Sequence, residues 1–393
     1  MKTNVKTAAL KPSALAAARE LAPLIESLRD QTEASRNLAA PIVERLRDAG
    51  LCRLAVAEEH AGLELPIDAA LDVYETLAYA DASVGWIAWN NSLPCFLSRY
   101  LGAAARREVF ASPSWLYANS TRPTGRATPT ADGFRVSGRW GIVSGCELAE
   151  WITLLCVVEE NGAPRMMGPG VPELRFVVLR RGQYEILDTW HVGGLRGTGS
   201  HDVVVENVSV PRALTFFVAE PSTLDGPLGR IPIICSMAAG YGAQTLGVAQ
   251  SAVDTLVELT STKAPPEGPP LRERAAVLGE IGRHSAALEA ARVYLHHRAS
   301  LLWRTAVSGG PPALDEITAM WSAGLHAAAA AETAVDAAYA AGGINSLYTS
   351  CPLERAHRDM HAMRRHIVGQ AMWLEEAGRV RLGAAPTHPL FAV

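Results

Sequence analysis

The run Pro352-Leu353-Glu354-Arg355-Ala356-His357-Arg358-Asp359-Met360-His361-Ala362-Met363-Arg364-Arg365-His366 gathers three imidazoles and two carboxylates within 15 residues. Such groups bind metals or move protons. On a helix His357 and His361 fall one turn apart, with Glu354 a turn before them. Glu-x-x-His is a fragment of the di-iron carboxylate pattern of helix bundles, which needs a second copy and two further glutamates on facing helices. Glu280 and His284 have the wrong spacing for that copy. A pair of histidines also falls short of the three or four ligands that zinc takes. The sequence therefore assigns no metal, and reads the run as a polar helix start packed against another subunit or a loop. His366 differs, because the apolar Ile367 and Val368 follow it. It belongs at a border between core and cavity, either as a satisfied structural residue or as an acid–base group titrating near pH ~6.5.

Two further clusters are candidates for a binding surface. Trp190-His191-Val192-Gly193-Gly194-Leu195-Arg196-Gly197-Thr198-Gly199-Ser200-His201-Asp202-Val203 places four glycines, a threonine and a serine within eight residues. Backbone exposed in this way suits a phosphate or a ring; an ordinary glycine-rich hairpin explains it nearly as well. No Gly-Lys-Ser/Thr follows, so it is not a Walker loop. The other cluster, Gly133-Phe134-Arg135-Val136-Ser137-Gly138-Arg139-Trp140-Gly141-Ile142-Val143-Ser144-Gly145-Cys146, ends near Ala149-Glu150-Trp151. Its Ser-Gly steps and tryptophans could line a flat aromatic ligand, or could be turn chemistry around a core tryptophan. No Gly-x-Ser-x-Gly elbow and no dinucleotide fingerprint in a βαβ setting is present.

The elements that must position these groups come in three blocks. From Ser13 to about Trp86 the pattern is helical, with Leu21, Leu24, Ile25 and Leu28 on one face. Pro41 opens a second helix, carrying Ile42, Leu46 and Ala49, and Gly50 closes it. After a turn-rich segment from Ala57 to Pro66 come a helix with Ala70, Val73, Tyr74 and Leu77 and another from Val84 to Tyr100. Between about Trp115 and Pro211 lie β-rich runs, Phe134–Val136, Ile152–Val158, Leu174–Leu179 and His201–Val205, with hairpin signals at Asp132-Gly133 and Asn161-Gly162. This predicts a compact antiparallel barrel or sandwich. Four long helices follow, Ile233–Thr262, Arg272–Ser308, Leu314–Ala341 and Pro352 to about Leu382, with a Pro/Gly linker at Ala264–Pro270. They predict a four-helix bundle. The expected class is α+β in three parts: residues 1–114 helical, 115–215 an antiparallel β-barrel, and 216–393 the helical bundle.

Composition limits the function. Of 393 residues, 49% are hydrophobic and 19% charged, and the net charge is −4. That argues for neither nucleic acid nor an anionic membrane as partner. No apolar stretch is long and charge-free enough to span a bilayer. Lys2, Lys6, Lys11 and Arg19 precede any acidic residue, which reads as a frayed basic start before a helix. The six cysteines, at 52, 95, 146, 156, 235 and 351, are scattered without a C-x-x-C pair. They read as buried, reduced thiols of a cytoplasmic protein.

In order, the motifs resemble the acyl-CoA dehydrogenase superfamily, and most closely its flavin-dependent monooxygenase branch. The resemblance runs through Gly50-Leu51-Cys52-Arg53, Gly62-Leu63-Glu64-Leu65-Pro66, Ala80-Asp81-Ala82-Ser83-Val84-Gly85-Trp86, and Ser137-Gly138-x-Trp140 with Ser144-Gly145 and Trp151. It continues in Trp190 with Gly194–Ser200 and Asp202-Val203, and ends at Arg358-Asp359 with His366. It implies a homotetramer with flavin at subunit boundaries. The flavin contacts it implies fall on Asn119, Ser120, Ser144 near the ring's reactive nitrogen, Gly145, Arg358, and Gly342-Gly343 of a neighbouring subunit.

Two departures from the family pattern bear on chemistry. Acyl-CoA dehydrogenases continue Arg-Asp-Ala into Tyr-Glu-Gly, whose glutamate removes the α-proton; this register places His366 at the tyrosine and Ile367 at the glutamate. No glutamate stands near Met237, where some relatives carry theirs. The Arg-x-x-Phe-Gly that grips the FAD pyrophosphate is replaced by Leu259-Thr260-Ser261-Thr262-Lys263. This suits reduced FMN somewhat better than FAD, delivered by a separate flavin reductase. The implied activity is that of an oxygenase component, acting with reduced flavin and O2 through a flavin hydroperoxide on a small aromatic or heterocyclic substrate. Ser144 and His366 are its expected catalytic residues, and Trp86, Asn90, Asn91 and His366 its substrate contacts. Other readings are an acyl-CoA dehydrogenase or oxidase with another base, and a flavin-free binding or assembly protein on the same scaffold.

Overall fold

The computed structural model describes residues 13–217, 220, 222–262, 269–388 and 391. The basic start at Lys2, Lys6 and Lys11 and most of the Pro/Gly linker lie outside them. In the N-terminal part six helices follow one another: α1 (Ala14–Ser27), α2 (Arg29–Ser35), α3 (Ala40–Asp48), α4 (Ile67–Ala80), α5 (Ala82–Leu97) and α6 (Ala103–Val109). Ser13 caps α1 by accepting from the Ala16 amide at 3.2 Å. Helix α5 is the one that matters for the site. Asp81 caps it, accepting from the Ser83 and Val84 amides at 2.8 and 3.1 Å. Its residues from Ala82 to Leu93 are buried on every side, as expected for a helix without a polar face.

The middle part holds β1 (Tyr117–Pro129), β2 (Gly133–Trp140), β3 (Trp151–Glu160), β4 (Ala163–Pro164), β5 (Met166–Gly168), β6 (Val171–Pro172), β7 (Leu174–Arg180), β8 (Glu185–Leu187), β9 (Asp202–Pro211) and β10 (Thr215–Phe216). The main sheet runs β10-β7-β3-β1-β2-β9-β8, with β4 on β3. The expected antiparallel barrel is corrected on two counts. The sheet is open, ending in the short strands β8 and β10, and it is mixed, because β1 and β3 pair in parallel. The Asp132-Gly133 hairpin does join β1 to β2 antiparallel. The chain then crosses through residues 141–150 to the other side of β1, so β3 must run parallel to it. That crossing carries Ser144 and Gly145.

Strand β1 escaped the sequence pattern because Asn119-Ser120-Thr121-Arg122-Pro123-Thr124 is polar and contains proline. Its pairing with β3 breaks between Ser120 and Gly125, which leaves residues 121–124 exposed. Beyond the break Gly125 lies against the indole of Trp140: a β-carbon there would come within 1.8 Å of Cζ2. Trp140 is fully buried and donates to the Leu155 carbonyl at 2.8 Å. Gly125→Ala should therefore lower unfolding free energy by about 1–3 kcal/mol through overpacking; urea denaturation followed by tryptophan fluorescence measures it.

The C-terminal part has α7 (Pro227–Arg230), α8 (Ile233–Thr262), α9 (Ala275–Val307), α10 (Leu314–Gly342), α11 (Pro352–Met363) and α12 (Met372–Arg381). The fourth long helix expected from Pro352 to about Leu382 is broken into α11 and α12. Between them His366 adopts extended backbone, and a 3-10 turn covers Ile367–Gly369. Tertiary contacts win over helix propensity there. The Tyr241 hydroxyl donates to the Met363 carbonyl, Trp373 Nε1 donates to the Ile367 carbonyl at 2.7 Å, and Gly369 packs against the Tyr241 hydroxyl. Helices of the N- and C-terminal parts share one hydrophobic core, while the sheet keeps a second of its own. All six cysteines are buried, and burial pushes the Cys52, Cys146 and Cys156 thiols up to about 12, so they stay protonated and inert.

Candidate active site

The site is built around Trp86 on α5. Its indole meets the His366 ring edge-on, with centroids 5.1 Å apart, and Nε1 donates to the Ser144 hydroxyl at 3.1 Å. Trp89, one turn on, meets the same imidazole at 5.8 Å and Trp86 itself at 5.1 Å. Positions 86 and 89 share a helix face; this i,i+3 indole pair was the available signal for Trp89. Asn90, the next residue on that face, takes the amide of Asn119 from β1 on its own Oδ1 and carbonyl, both at 3.2 Å. The structure thus brings Ser144, His366, Trp86, Asn90 and Asn119 together.

Ser144 belongs to a chain of hydroxyls whose polarity can be assigned. Thr198 donates to the Leu195 carbonyl at 2.8 Å, which uses its only proton. The 2.6 Å contact between Thr198 and Ser200 must then be a donation from Ser200. By the same count Ser144 donates to Ser200 across 2.8 Å. Ser144 already accepts from Trp86, so one lone pair remains. Towards a ligand it is an acceptor only. Thr198 and Ser200 lay inside the glycine cluster, whose reading stressed exposed backbone and missed the hydroxyls.

Two glycines of that cluster, Gly194 and Gly197, serve packing. A β-carbon on Gly194 would lie 2.2 Å from the Arg358 carbonyl, and one on Gly197 2.4 Å from the Thr32 side chain. The loop is pinned to α11 by the Leu195 amide, which donates to Asp359 at 2.6 Å. Burial, reinforced by the neighbouring Asp81 charge, pushes the Asp359 carboxyl up to about 7. Arg358 is engaged by Glu354 at 2.6 Å, by Glu33 at 2.9 Å and by the Gly193 carbonyl. Its guanidinium holds the loop to α2 and α11 and does not fit a cofactor contact.

His366 keeps some solvent contact, but protein crowds it closely. Desolvation, with a smaller repulsion from Arg122, brings its pKa down to about 4. Nδ1 accepts from the Val368 amide at 3.4 Å. At neutral pH the ring is therefore neutral, with its proton on Nε2. Arg122, in the exposed break of β1, is a charge near the site that sequence patterns did not reveal. Linkage gives a signed expectation. The unfolded imidazole titrates near ~6.5, so stability drops as pH falls from there towards 4, by ~3 kcal/mol in all. His366→Gln should flatten that slope relative to wild type in urea melts between pH 7 and 4.

The remaining expected residues separate. Asn91 is fully buried, donating to the Ile87 carbonyl at 3.1 Å and accepting from the Tyr117 amide at 2.6 Å. It fixes the start of β1 and has no open face. Ser120 is buried and accepts from the Arg122 amide at 3.4 Å, and Gly145 turns at φ +72° against Ile87. Gly342 and Gly343 end α10, where Gly342 packs on Ser346 and Leu353 and Gly343 faces open space at φ +59°; no contact links them to Ser144 or His366 of the same chain.

Comparison with known proteins settles the ancestry. Residues 11–112 match the family model "Acyl-CoA dehydrogenase, N-terminal domain" and residues 239–371 match "Acyl-CoA dehydrogenase, C-terminal domain". A pigment production hydroxylase of a Rhodococcus species is 30% identical over 70% of this chain and 72% of its own length. The chain belongs to the acyl-CoA dehydrogenase family. An indole-3-acetate monooxygenase of Pseudomonas putida is 28% identical over 95% of this chain and 96% of its own. The solved structure of XiaF from a Streptomyces species, in complex with FADH2 and glycerol, superposes with a TM-score of 0.89. It is 24% identical and covers 97% of each chain. These relatives place the protein in the flavin-dependent monooxygenase branch of the acyl-CoA dehydrogenase family.

Within that family the position of the catalytic glutamate is decisive. The register of the family motif in the sequence puts Ile367 there, a residue 45% exposed and unable to ionise, with its carbonyl engaged by Trp373. The ionisable side chain that meets both Trp86 and Trp89 is the neutral imidazole of His366. A flavin ring fits this setting, since Ser144 offers one open acceptor and Asn119 and Ser120 add buried polar groups on β1. Arg358, held by Glu354 and Glu33, and Asn91, fully buried, are expected contacts without a free face for a ligand.

Proposed function

We propose that this protein is the oxygenase component of a two-component flavin-dependent monooxygenase, inserting one oxygen atom of O2 into a small aromatic or heterocyclic substrate. A single observation carries the reading. The family's base is an exposed isoleucine, while a neutral imidazole, two indoles and an acceptor-only serine remain around the site. A residue without an ionisable group removes no α-proton, so acyl thioester oxidation lacks its first step.

Bound reduced flavin supplies the two electrons that reduce O2. The chain's own residues do the rest. Ser144, locked as an acceptor by Ser200 and Thr198, would hold the N–H of the reduced ring. His366, neutral and protonated on Nε2, would donate a hydrogen bond to the oxygen that develops negative charge. Trp86 and Trp89, both buried, keep water from that side of the imidazole. Asn90, held by Asn119, would orient a polar group of the substrate, and Arg122 would favour an anionic one.

The same reading includes a separate flavin reductase, since the reduced flavin must be regenerated elsewhere. FMN is favoured over FAD because Leu259–Lys263 replaces the family's pyrophosphate grip. It also includes a homotetramer in which Gly342-Gly343 meets the flavin of a neighbouring subunit. The apolar Ile344, Leu347 and Tyr348 beside that glycine pair, each more than 60% exposed, support such a contact. Among the described residues no helix is long and apolar enough to cross a membrane; we place the protein in the cytoplasm on its scattered, buried thiols.

The test mixes anaerobic protein and reduced FMN or FAD with oxygen and a panel of indoles and phenols, scoring oxygenated product against hydrogen peroxide. Product formation supports the reading. Anaerobic bleaching of bound oxidised flavin by an acyl-CoA would overturn it in favour of a dehydrogenase.

A further inference from the structure

The histidine pair that lacked a third ligand in the sequence gains one in the fold. Asp336 on α10 faces His357 and His361 on α11. Its Oδ1 lies 2.9 Å from His361 Nε2 and 3.5 Å from His357 Nε2. One ligand atom from each residue can be chosen so that all three lie within 4.8 Å of one another. A tetrahedral zinc at ~2.05 Å from each ligand holds them ~3.3 Å apart. The two Asp336 distances bracket that value, and the two imidazole nitrogens, within 4.8 Å of each other, complete the triangle.

We propose that Asp336, His357 and His361 form a binding site for a divalent transition cation of the zinc class, stapling α10 to α11. The surroundings are already arranged for it. The His357 ring stacks on Tyr339, with centroids 4.2 Å apart and planes 24° from parallel, which fixes its plane. Glu332, one turn before Asp336, stands 3.9 Å from Nδ1 of His361, on the side away from Asp336. A carboxylate hydrogen-bonded behind a ligating imidazole sets its tautomer and raises its basicity; Glu332, held by Arg364 at 2.9 Å, would have to close on the ring to do so. The three side chains are 33–47% exposed, so a fourth position is open to water. Two imidazoles and one carboxylate select Zn2+, Co2+, Ni2+ or Cu2+ over Mg2+ or Ca2+, which prefer oxygen ligands. The cation would brace the ends of α10 and α11, and so the Gly342-Gly343 turn and the helix leading to His366.

The test uses the full-length chain without a histidine tag, stripped by a chelator that is then removed. Zn2+ is titrated by calorimetry, and Co2+ by its visible absorption. We expect one cation per chain and a melting temperature that rises with Zn2+. Asp336→Asn should weaken Zn2+ binding tenfold or more, His361→Ala should abolish it, and Glu332→Gln should weaken it roughly tenfold. Circular dichroism in EDTA checks that the variants fold, and His357→Gln on the other helix serves if Asp336→Asn does not. Absence of saturable Zn2+ binding would overturn the proposal. So would wild-type affinity in Asp336→Asn, which would leave a bare histidine pair, or equal competition by Mg2+.

Discussion

His366→Ala should lower product formation about 10²–10³-fold while changing the affinity for reduced flavin less than threefold. The magnitude is that of a positioned proton donor or acceptor in the transition state. The selectivity comes from placement: the imidazole touches Trp86 and Trp89, whereas the contact expected to hold the flavin nitrogen belongs to Ser144. The protonation state says which role to expect. With its pKa brought down to about 4 and Nδ1 taken by the Val368 amide, the ring presents Nε2–H. It should act as a donor, and a side-chain amide can replace a donor better than it can replace a base. His366→Gln should therefore recover at least tenfold over His366→Ala. The pH profile of product formation should show no limb near 6.5 belonging to this histidine. Equal loss in both variants, together with an acidic limb near 6.5, would point to a base and reverse the assignment. Single-turnover assays with product and peroxide quantified separately make the measurement.

What the sequence could and could not reveal follows from the range of the forces involved. Helices with an apolar stripe were legible because periodicity is local: Ile42, Leu46 and their neighbours could pack in only one way. Family motifs carried the order of the three parts, and their register put Ile367 where the glutamate would stand. The parallel pairing of β1 with β3 was hidden, since nothing within ten residues of Ser144 says to which side of β1 the chain will cross. The break after Met363 was hidden too. It depends on Tyr241 and Trp373, two residues from different helices that capture the Met363 and Ile367 carbonyls. Arg358 shows the opposite case. The resemblance put a flavin contact there, while in the fold Glu33 and Glu354 hold the guanidinium. Likewise Asp336, the carboxylate facing His357 and His361, comes from α10, more than 20 residues earlier in the chain.

The hydroxyl chain leads to the second large expectation, that this site distinguishes the redox states of its flavin. A reduced flavin carries a proton on the reactive ring nitrogen, and an oxidised one carries a lone pair there. Ser144 can only accept, because its proton is committed to Ser200, that of Ser200 to Thr198, and that of Thr198 to the Leu195 carbonyl. Reduced flavin gains a hydrogen bond, and oxidised flavin sets one lone pair against another. A difference of about 1–1.5 kcal/mol corresponds to roughly tenfold in affinity. The wild type should accordingly bind reduced FMN at least tenfold more tightly than oxidised FMN. Thr198→Val removes the acceptor at the head of the chain, so Ser200 can turn its proton towards Ser144, and Ser144 can turn its own towards the flavin. The preference should then shrink to within about threefold, chiefly because oxidised flavin binds better. Ser144→Ala should also shrink it, but by weakening the reduced form. Thr198→Ser keeps the hydroxyl and should retain the wild-type ratio. Anaerobic fluorescence titrations with both redox states separate these outcomes, and an unchanged ratio in Thr198→Val would mean that the proton order assigned to the chain is wrong. The physical point is that a residue out of reach of the ring, acting through two hydroxyls, would set which form of the cofactor the oxygenase retains and which it releases.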